Sequence, residues 1–257
     1  MRYAAAEAPD CLACDTSYGV GLLPSQARIL HATSLAIPAG SAPRPIRGVA
    51  QYVRRRRGVQ SAGDITIGRL PMILSAGLGL WLVQHVAMPG WVASAQLGAD
   101  LGGAAAEHAI EVGYLRTCHL GVDQEGCASV GRPVADFLEA WAAEVIKVRA
   151  PAPTPAFGEV TIPEAQVEEI GYRPLVYDGF AAGLTPDQLY AWLPRVHLYW
   201  SDYGPRQVSH RGFAVKQHAQ QTLPGLPFAV DVDEVGSDQL GGRLRWMVDL
   251  DAYGEVA

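Results

Sequence analysis

Apolar residues along this chain gather into short runs of strand length, separated by longer stretches with helical spacing. The clearest run covers residues 78–86, Leu-Gly-Leu-Trp-Leu-Val-Gln-His-Val. Near-continuous hydrophobicity is what a strand covered on both faces requires. Comparable runs at 11–16, 46–53, 118–126, 173–179, 196–203, 213–218 and 227–234 bring the expected strands to eight. Between them, Leu97, Leu101, Ala104, Ala105, His108, Ala109 and Val112 recur at steps of three and four, which predicts a helix over 94–113. Its many small residues suit close packing on a sheet. A second amphipathic helix over 133–149 turns Phe137, Leu138, Trp141, Val145 and Val148 inward. Thr185 followed by Pro186 supplies an N-cap and a proline at the first helical position. Further helices are expected at 24–31, 66–77, 165–171 and 238–248.

Strands alternating with helices favour a parallel sheet, and a count of eight favours closure. The expected fold is therefore α/β, a (β/α)8 TIM-type barrel with irregular last helices. A length of 257 residues suits one such domain, with a core over about 10–250. The Pro-rich stretch 151–163 reads as an insertion, because the alternating pattern resumes after it.

Composition narrows the function classes. With 49% apolar and 18% charged residues the chain can bury a large core. A net charge of −6 argues against a dedicated nucleic-acid binder. The one basic run, Arg54 to Arg57, reads as a solvated loop, with contact to an anionic surface as the alternative. No signal peptide is expected. The longest apolar stretch, 70–88, is interrupted by Pro71, Ser75, Gly77, Gln84 and His85, so no membrane span is expected either. The four cysteines read as ordinary buried thiols; a metal site would need Cys118 or Cys127 to converge on Cys11 and Cys14.

Candidate chemistry centres on the run from Cys118 to Gly126. Asp123 and Glu125 are spaced i, i+2, so on a strand both point to the same face, roughly 6.6 Å apart along the chain. Other polar residues also fall near the C-terminal ends of expected strands: Asp15, Tyr52, Gln84 with His85, Tyr177 with Asp178, Trp200 with Asp202, Gln217 with His218, and Asp231. In a barrel those ends surround one mouth, where active sites are built. No phosphate-binding loop, serine elbow or paired zinc motif competes with them.

These residues carry a resemblance. Cys14-Asp15, Gly121-Val-Asp-Gln-Glu125, Arg173-Pro-Leu-Val-Tyr177 and Val230-Asp-Val-Asp233, in that order, resemble the glycoside hydrolase family 25 lysozymes. They resemble still more their relatives, glycoside hydrolase-like barrels grouped as a domain of unknown function. The segment from Gly98-Ala-Asp100 to Gly113 is similar to the helix those families carry before the acidic strand. Cys118 and His119 depart from the plainer apolar run expected there, and 198–202 is only loosely similar to the sixth strand.

The resemblance implies a muramidase-type barrel cutting peptidoglycan glycan, without cofactor or metal. It implies Glu125 as general acid, Asp123 as its partner, and Asp15 and Asp231 as flanking acids. Tyr52, Tyr177, Tyr199, Trp200 and Gln217 are the expected sugar contacts. Without an export signal, delivery to the cell wall by a phage or tail-like particle is the expectation. Two other readings stay open: a glycan-binding or structural barrel within a larger particle, and a metal-dependent hydrolase using His85, His119 or His218 with the acids.

Overall fold

A computed structural model of the chain describes residues 2–15, 46–53, 74, 77–147, 171–178, 183–201, 212–222 and 229–253. The expected helices at 24–31, 66–77 and 165–171, the Arg54–Arg57 run, Asp202 and the 151–163 insertion lie outside these residues, apart from Leu74, Gly77 and Gly171. Of Cys14, Asp15 and Tyr52 only the backbone is described.

The strands are β1 (Tyr3–Glu7), β2 (Cys11–Asp15), β3 (Ile46–Val53), β4 (Gly79–Trp91), β5 (His119–Cys127), β6 (Arg173–Asp178), β7 (Leu198–Ser201), β8 (Val215–Thr222), β9 (Ala229–Val235) and β10 (Arg245–Asp249). Among the described residues there are four helices: α1 (Ala95–Glu111), α2 (Arg132–Ile146), α3 (Pro186–Trp192) and α4 (Leu250–Tyr253). The strands form one curled, mixed sheet in the order β1-β10-β4-β3-β2-β9-β8-β7-β6-β5, and β5 also pairs with β4. From β2 through β8 the neighbours within β2-β3-β4-β5-β6-β7-β8 are parallel. β9 is antiparallel to both β8 and β2, and β10 is antiparallel to β1 and β4.

The expected (β/α)8 barrel is therefore overturned: strands and helices do not alternate throughout, and the sheet is mixed. The difference has a local cause at 238–248, where a closing helix was expected. Gly241 takes a left-handed φ of +81°, and the Asp238 carboxylate accepts from the N–H groups of Leu240 and Gly242 at 3.0 and 2.6 Å. That arrangement makes a tight turn, after which Arg245-Trp-Met-Val-Asp249 runs on as β10. β1, unmarked in the hydrophobic pattern because it is mostly alanine, pairs along its whole length with β10.

Where helices do form, local chemistry explains them. Ser94 Oγ accepts from Leu97 N–H at 3.2 Å and caps α1. Thr185 and Gln188 complete a reciprocal capping box at the start of α3. The small residues of α1 serve helix-to-helix contact rather than contact with the sheet alone. A Cβ on Gly98 would lie 2.1 Å from the carbonyl oxygen of Phe137, and one on Gly102 2.5 Å from that of Trp141, so α1 and α2 meet backbone to backbone.

Strand alternation divides the core in two. Leu80, Leu82, Val86, Leu120, Val122, Val176 and Tyr199 face the helices, with Phe137, Leu138 and Trp141 of α2 packed over them. Ala13, Trp81, Val83, Leu175, Leu198, Trp200, Val215 and Val235 fill the inside of the curl. There Trp81 stacks on Trp246 at 6.1 Å and meets Trp200 edge-on at 6.4 Å. Gln84 belongs to the outer layer: it donates to the Leu101 carbonyl at 3.1 Å and accepts from Trp141 Nε1 at 2.7 Å, tying the sheet to both helices.

Near its start β4 pairs with β10 at Leu80 and Met247, and from Leu82 onward with β5. This change of partner leaves the Arg245 N–H without a strand acceptor, and His119 Nδ1 accepts it at 2.7 Å. The histidine that departed from an apolar strand pattern thus satisfies a backbone group at a sheet junction.

Candidate carboxylate site

The inward positions of neighbouring strands gather the acids. On β4, His85 has the parity of Trp81 and Val83. On β5, Asp123 and Glu125 continue the column above Gly121, whose Cα faces Val83. His85 and Asp123 are register partners, and Asp15 on β2 is the register partner of Asp231 on β9. Because β9 runs antiparallel, its first residues lie at the end of the sheet where β2, β4 and β5 finish.

His85 Nε2 lies 3.5 Å from Asp123 Oδ2 and 3.5 Å from Glu125 Oε2. One donor atom from each of the three lies within 4.8 Å of the others. The separation of about 6.6 Å expected along the strand therefore closes to that of a near pair. The side chain of Asp123 is 5% exposed and that of Glu125 57%, so Glu125 stands at the opening and Asp123 one layer below it.

This layering splits their ionisation. Burial pushes the Asp123 carboxyl up to about 7; the His85 ring opposes the rise, and Glu125 and Asp231 add to it. Glu125 moves down, chiefly because His85 stabilises its anion. Burial pulls the His85 ring down, but the Glu125 contact and the two carboxylates outweigh it and leave it raised. Half-buried Asp231 is raised by burial and by Glu125. Directly beneath, Asp233 is fully buried and held well above the usual carboxylate range by burial, although Trp200 Nε1 donates to its Oδ1 at 2.9 Å.

Of the sequence-predicted residues, Asp123, Glu125 and Asp231 are brought within each other's electrostatic reach. Asp15 joins them by backbone register. Tyr177 and Gln217 lie on the same inner face; the Tyr177 hydroxyl donates to Gln217 Oε1 at 2.5 Å, and its ring packs edge-on against Trp200 at 4.8 Å. Trp200 is 1% exposed and forms floor rather than wall. Tyr199 points the opposite way, beneath α3, donating to the Leu189 carbonyl at 3.1 Å. The side chain of Tyr52 is outside the described residues.

The sequence placed His85 among the polar residues at the strand ends with the acids, and gave it a role only in the metal-dependent reading; it did not single out Asp233. Asp233 could have been found by parity, since it lies two residues beyond Asp231. Of the three histidines weighed as metal ligands, only His85 is here. His119 sits at the other end of β5, and His218 lies on β8 with Glu234 at 3.5 Å. Among the described residues, His85, Asp123 and Glu125 are the group that could hold a cation. Cys118 and Cys127 flank opposite ends of β5, and Cys11, Cys118 and Cys127 are free thiols.

No family model matches the chain, and no curated protein matches it. Among solved structures, it is similar to the 1.07 Å crystal structure of an uncharacterized B. stearothermophilus protein. The match covers 88% of this chain and 95% of that one, with a TM-score of 0.55 and 12% identity. At that identity the likeness is one of fold: the curled sheet is an architecture shared with a protein whose own activity is uncharacterized.

Proposed function

We propose that the chain is a glycoside hydrolase acting on a cell-wall glycan of the peptidoglycan class through paired carboxylates. The observation that carries the reading is the split between Asp123 and Glu125, neighbours on one strand face with opposite proton occupancy. Acid–base catalysis at a glycosidic bond needs one carboxyl that keeps its proton and one that has lost it. Asp123 is then the proton donor to the leaving oxygen. Glu125, ionised and open to solvent, stabilises positive charge developing on the sugar. This reverses the roles that the family resemblance implies for the two residues. His85 keeps Glu125 ionised, and half-buried Asp231, the register partner of Asp15, stands within electrostatic reach of Glu125. Tyr177 and Gln217 offer an aromatic edge and an amide to the sugar.

The test is release of new reducing ends from purified peptidoglycan by the wild type, Asp123→Asn and Glu125→Gln. The reading requires both variants to fall by about 10²-fold or more, with activity unchanged in chelator. Equal turnover by all three proteins would remove the carboxylates from the reaction.

One observation favours a second reading, a glycan-binding protein without turnover: the proposed donor is only 5% exposed. Retention on peptidoglycan with no product at any pH would select it. Delivery by a phage or tail-like particle remains a proposal attached to either reading.

A further inference from the structure

Three donor atoms on adjacent strands converge at the carboxylate end of the sheet: Nε2 of His85 on β4, and one oxygen each of Asp123 and Glu125 on β5. Their spacing is that of ligands around an ion. Nε2 stands 3.5 Å from both Asp123 Oδ2 and Glu125 Oε2. An ordinary N–H···O hydrogen bond is shorter, at about 2.9 Å. A tetrahedral zinc ion with bonds of about 2.0–2.1 Å holds its ligand atoms roughly 3.3–3.4 Å apart. Both edges that meet at His85 match that figure. The third edge, between the two carboxylates, lies within 4.8 Å, and it ends on Glu125, whose half-exposed side chain can turn to close it.

A separate observation concerns Asp123. Its side chain is 5% exposed, and Oδ1 is buried without a hydrogen-bond partner among the described residues. The neighbouring Gln124 N–H acts on this carboxyl less than His85 or Glu125 does. A carboxyl oxygen shut away from water in this manner calls for a proton or a cation.

The donor set selects the ion. Magnesium and calcium prefer oxygen ligands alone, whereas an imidazole nitrogen beside two carboxylates suits zinc and the later first-row metals. Two carboxylates and a neutral imidazole offset a double positive charge. Half-buried Asp231, within electrostatic reach of Glu125, adds to the negative field. Glu125 stands at the opening, which gives the ion an entry path and water a place to complete the coordination.

We propose that His85 Nε2, Asp123 and Glu125 bind a single zinc-class dication. Coordination through Nε2 leaves the ring proton of His85 on Nδ1. Binding releases the proton that Asp123 holds, so the ion and the donor role of Asp123 exclude one another. The hydrolysis proposed above needs no metal, and zinc acts on it as an inhibitor. That consequence alone rests on the hydrolase reading; the binding site does not.

Calorimetric titration of zinc chloride into wild type stripped with chelator and dialysed tests the site, beside His85→Phe and Glu125→Gln. Wild type should take up one ion per chain. Each variant should bind more weakly by about 10-fold or more, the loss that removing even a group hydrogen-bonded to a metal ligand causes. Magnesium at the same concentrations should give no binding heat. Equal zinc affinity in wild type and either folded variant would mark the uptake as adventitious and overturn the proposal. So would magnesium bound as tightly as zinc, or no zinc bound at all. If His85→Phe fails to fold by circular dichroism, Glu125→Gln, altered at a side chain 57% exposed, decides alone. Release of reducing ends from peptidoglycan, followed with and without zinc, separates the two readings. Zinc bound by a protein that never turns over supports this site and counts against the hydrolase, and turnover without zinc binding does the reverse.

Discussion

Asp123 and Glu125 share the inner face of β5, yet His85, 3.5 Å from each, stabilises the charge of both while burial overrides it at Asp123 alone. Solvent access separates them. Two residues of rise along one strand are enough to carry a carboxyl from the opening into the packed interior.

The pH dependence of hydrolysis follows directly. Activity requires Asp123 protonated and Glu125 ionised, so it should rise as Glu125 loses its proton, below its ordinary value near 4.5, and fall as Asp123 loses its own around 7. Glu125→Gln should abolish the acid limb along with most of the rate. A profile in kcat/KM that climbs through pH 8 would contradict the assignment of Asp123 as donor.

Stability should respond to Asp123 in the opposite sense from a salt-bridged acid. Its folded value, about 7, lies above its ordinary 3.8, so the folded state binds the proton more tightly. The destabilisation is absent below about pH 4, grows as pH rises and is complete above 7, with an upper limit of about 4 kcal/mol. Asp123→Asn should therefore match the wild type at pH 4 and exceed it in urea midpoint at pH 8. A constant offset between the two proteins across that range would show that the carboxyl is not held protonated.

His119 titrates with the other sign. Burial, with His197 and the arginines, holds the ring well below 6.5. The unfolded chain then takes up a proton that the folded one refuses, and stability present above pH 6.5 is lost as pH falls. His119→Phe removes the acceptor of the Arg245 N–H and should cost about 1–3 kcal/mol at pH 7, with a flatter acid limb in denaturant melts. An unchanged acid limb would exclude His119 as its source.

The helix pair offers a test away from any chemistry. Gly98→Ala would drive a methyl group to 2.1 Å from the Phe137 carbonyl oxygen, a fixed backbone atom. Separating α1 from α2 should cost about 1–3 kcal/mol or more, read as a lower melting temperature. Gly113→Ala meets nothing within 4 Å, but its φ of +79° makes it a strain control rather than a packing one.

Local chemistry made several elements legible. The apolar run of β4 announced a strand covered on both faces. The helical spacing of Leu97, Leu101, Ala105 and Ala109 marked α1, and Thr185 with Pro186 marked the start of α3, because a cap and the turn it closes are neighbours in the chain. The two-residue spacing of Asp123 and Glu125 likewise set them on one face before any partner strand was known, since alternation is a property of a single strand.

Direction, partner and depth are not properties of a single strand. A run such as 227–234 alternates identically whether it lies parallel or antiparallel, so only its pairing with β2 and β8 shows β9 reversed and Asp231 brought to the carboxylate end. Tyr199 and Trp200 are equally aromatic and adjacent, and only the position of α3 decides which one faces outward. Arg245 to Asp249 became a strand because β1 was there to pair with it. The proton on Asp123 is set by groups on β4 and β9 and by the water excluded around it, because ionisation is governed by distances through space. By itself the sequence determined where chain segments are extended or helical and which side chains share a face; the tertiary structure decided which faces meet, and with them the charge each acid carries.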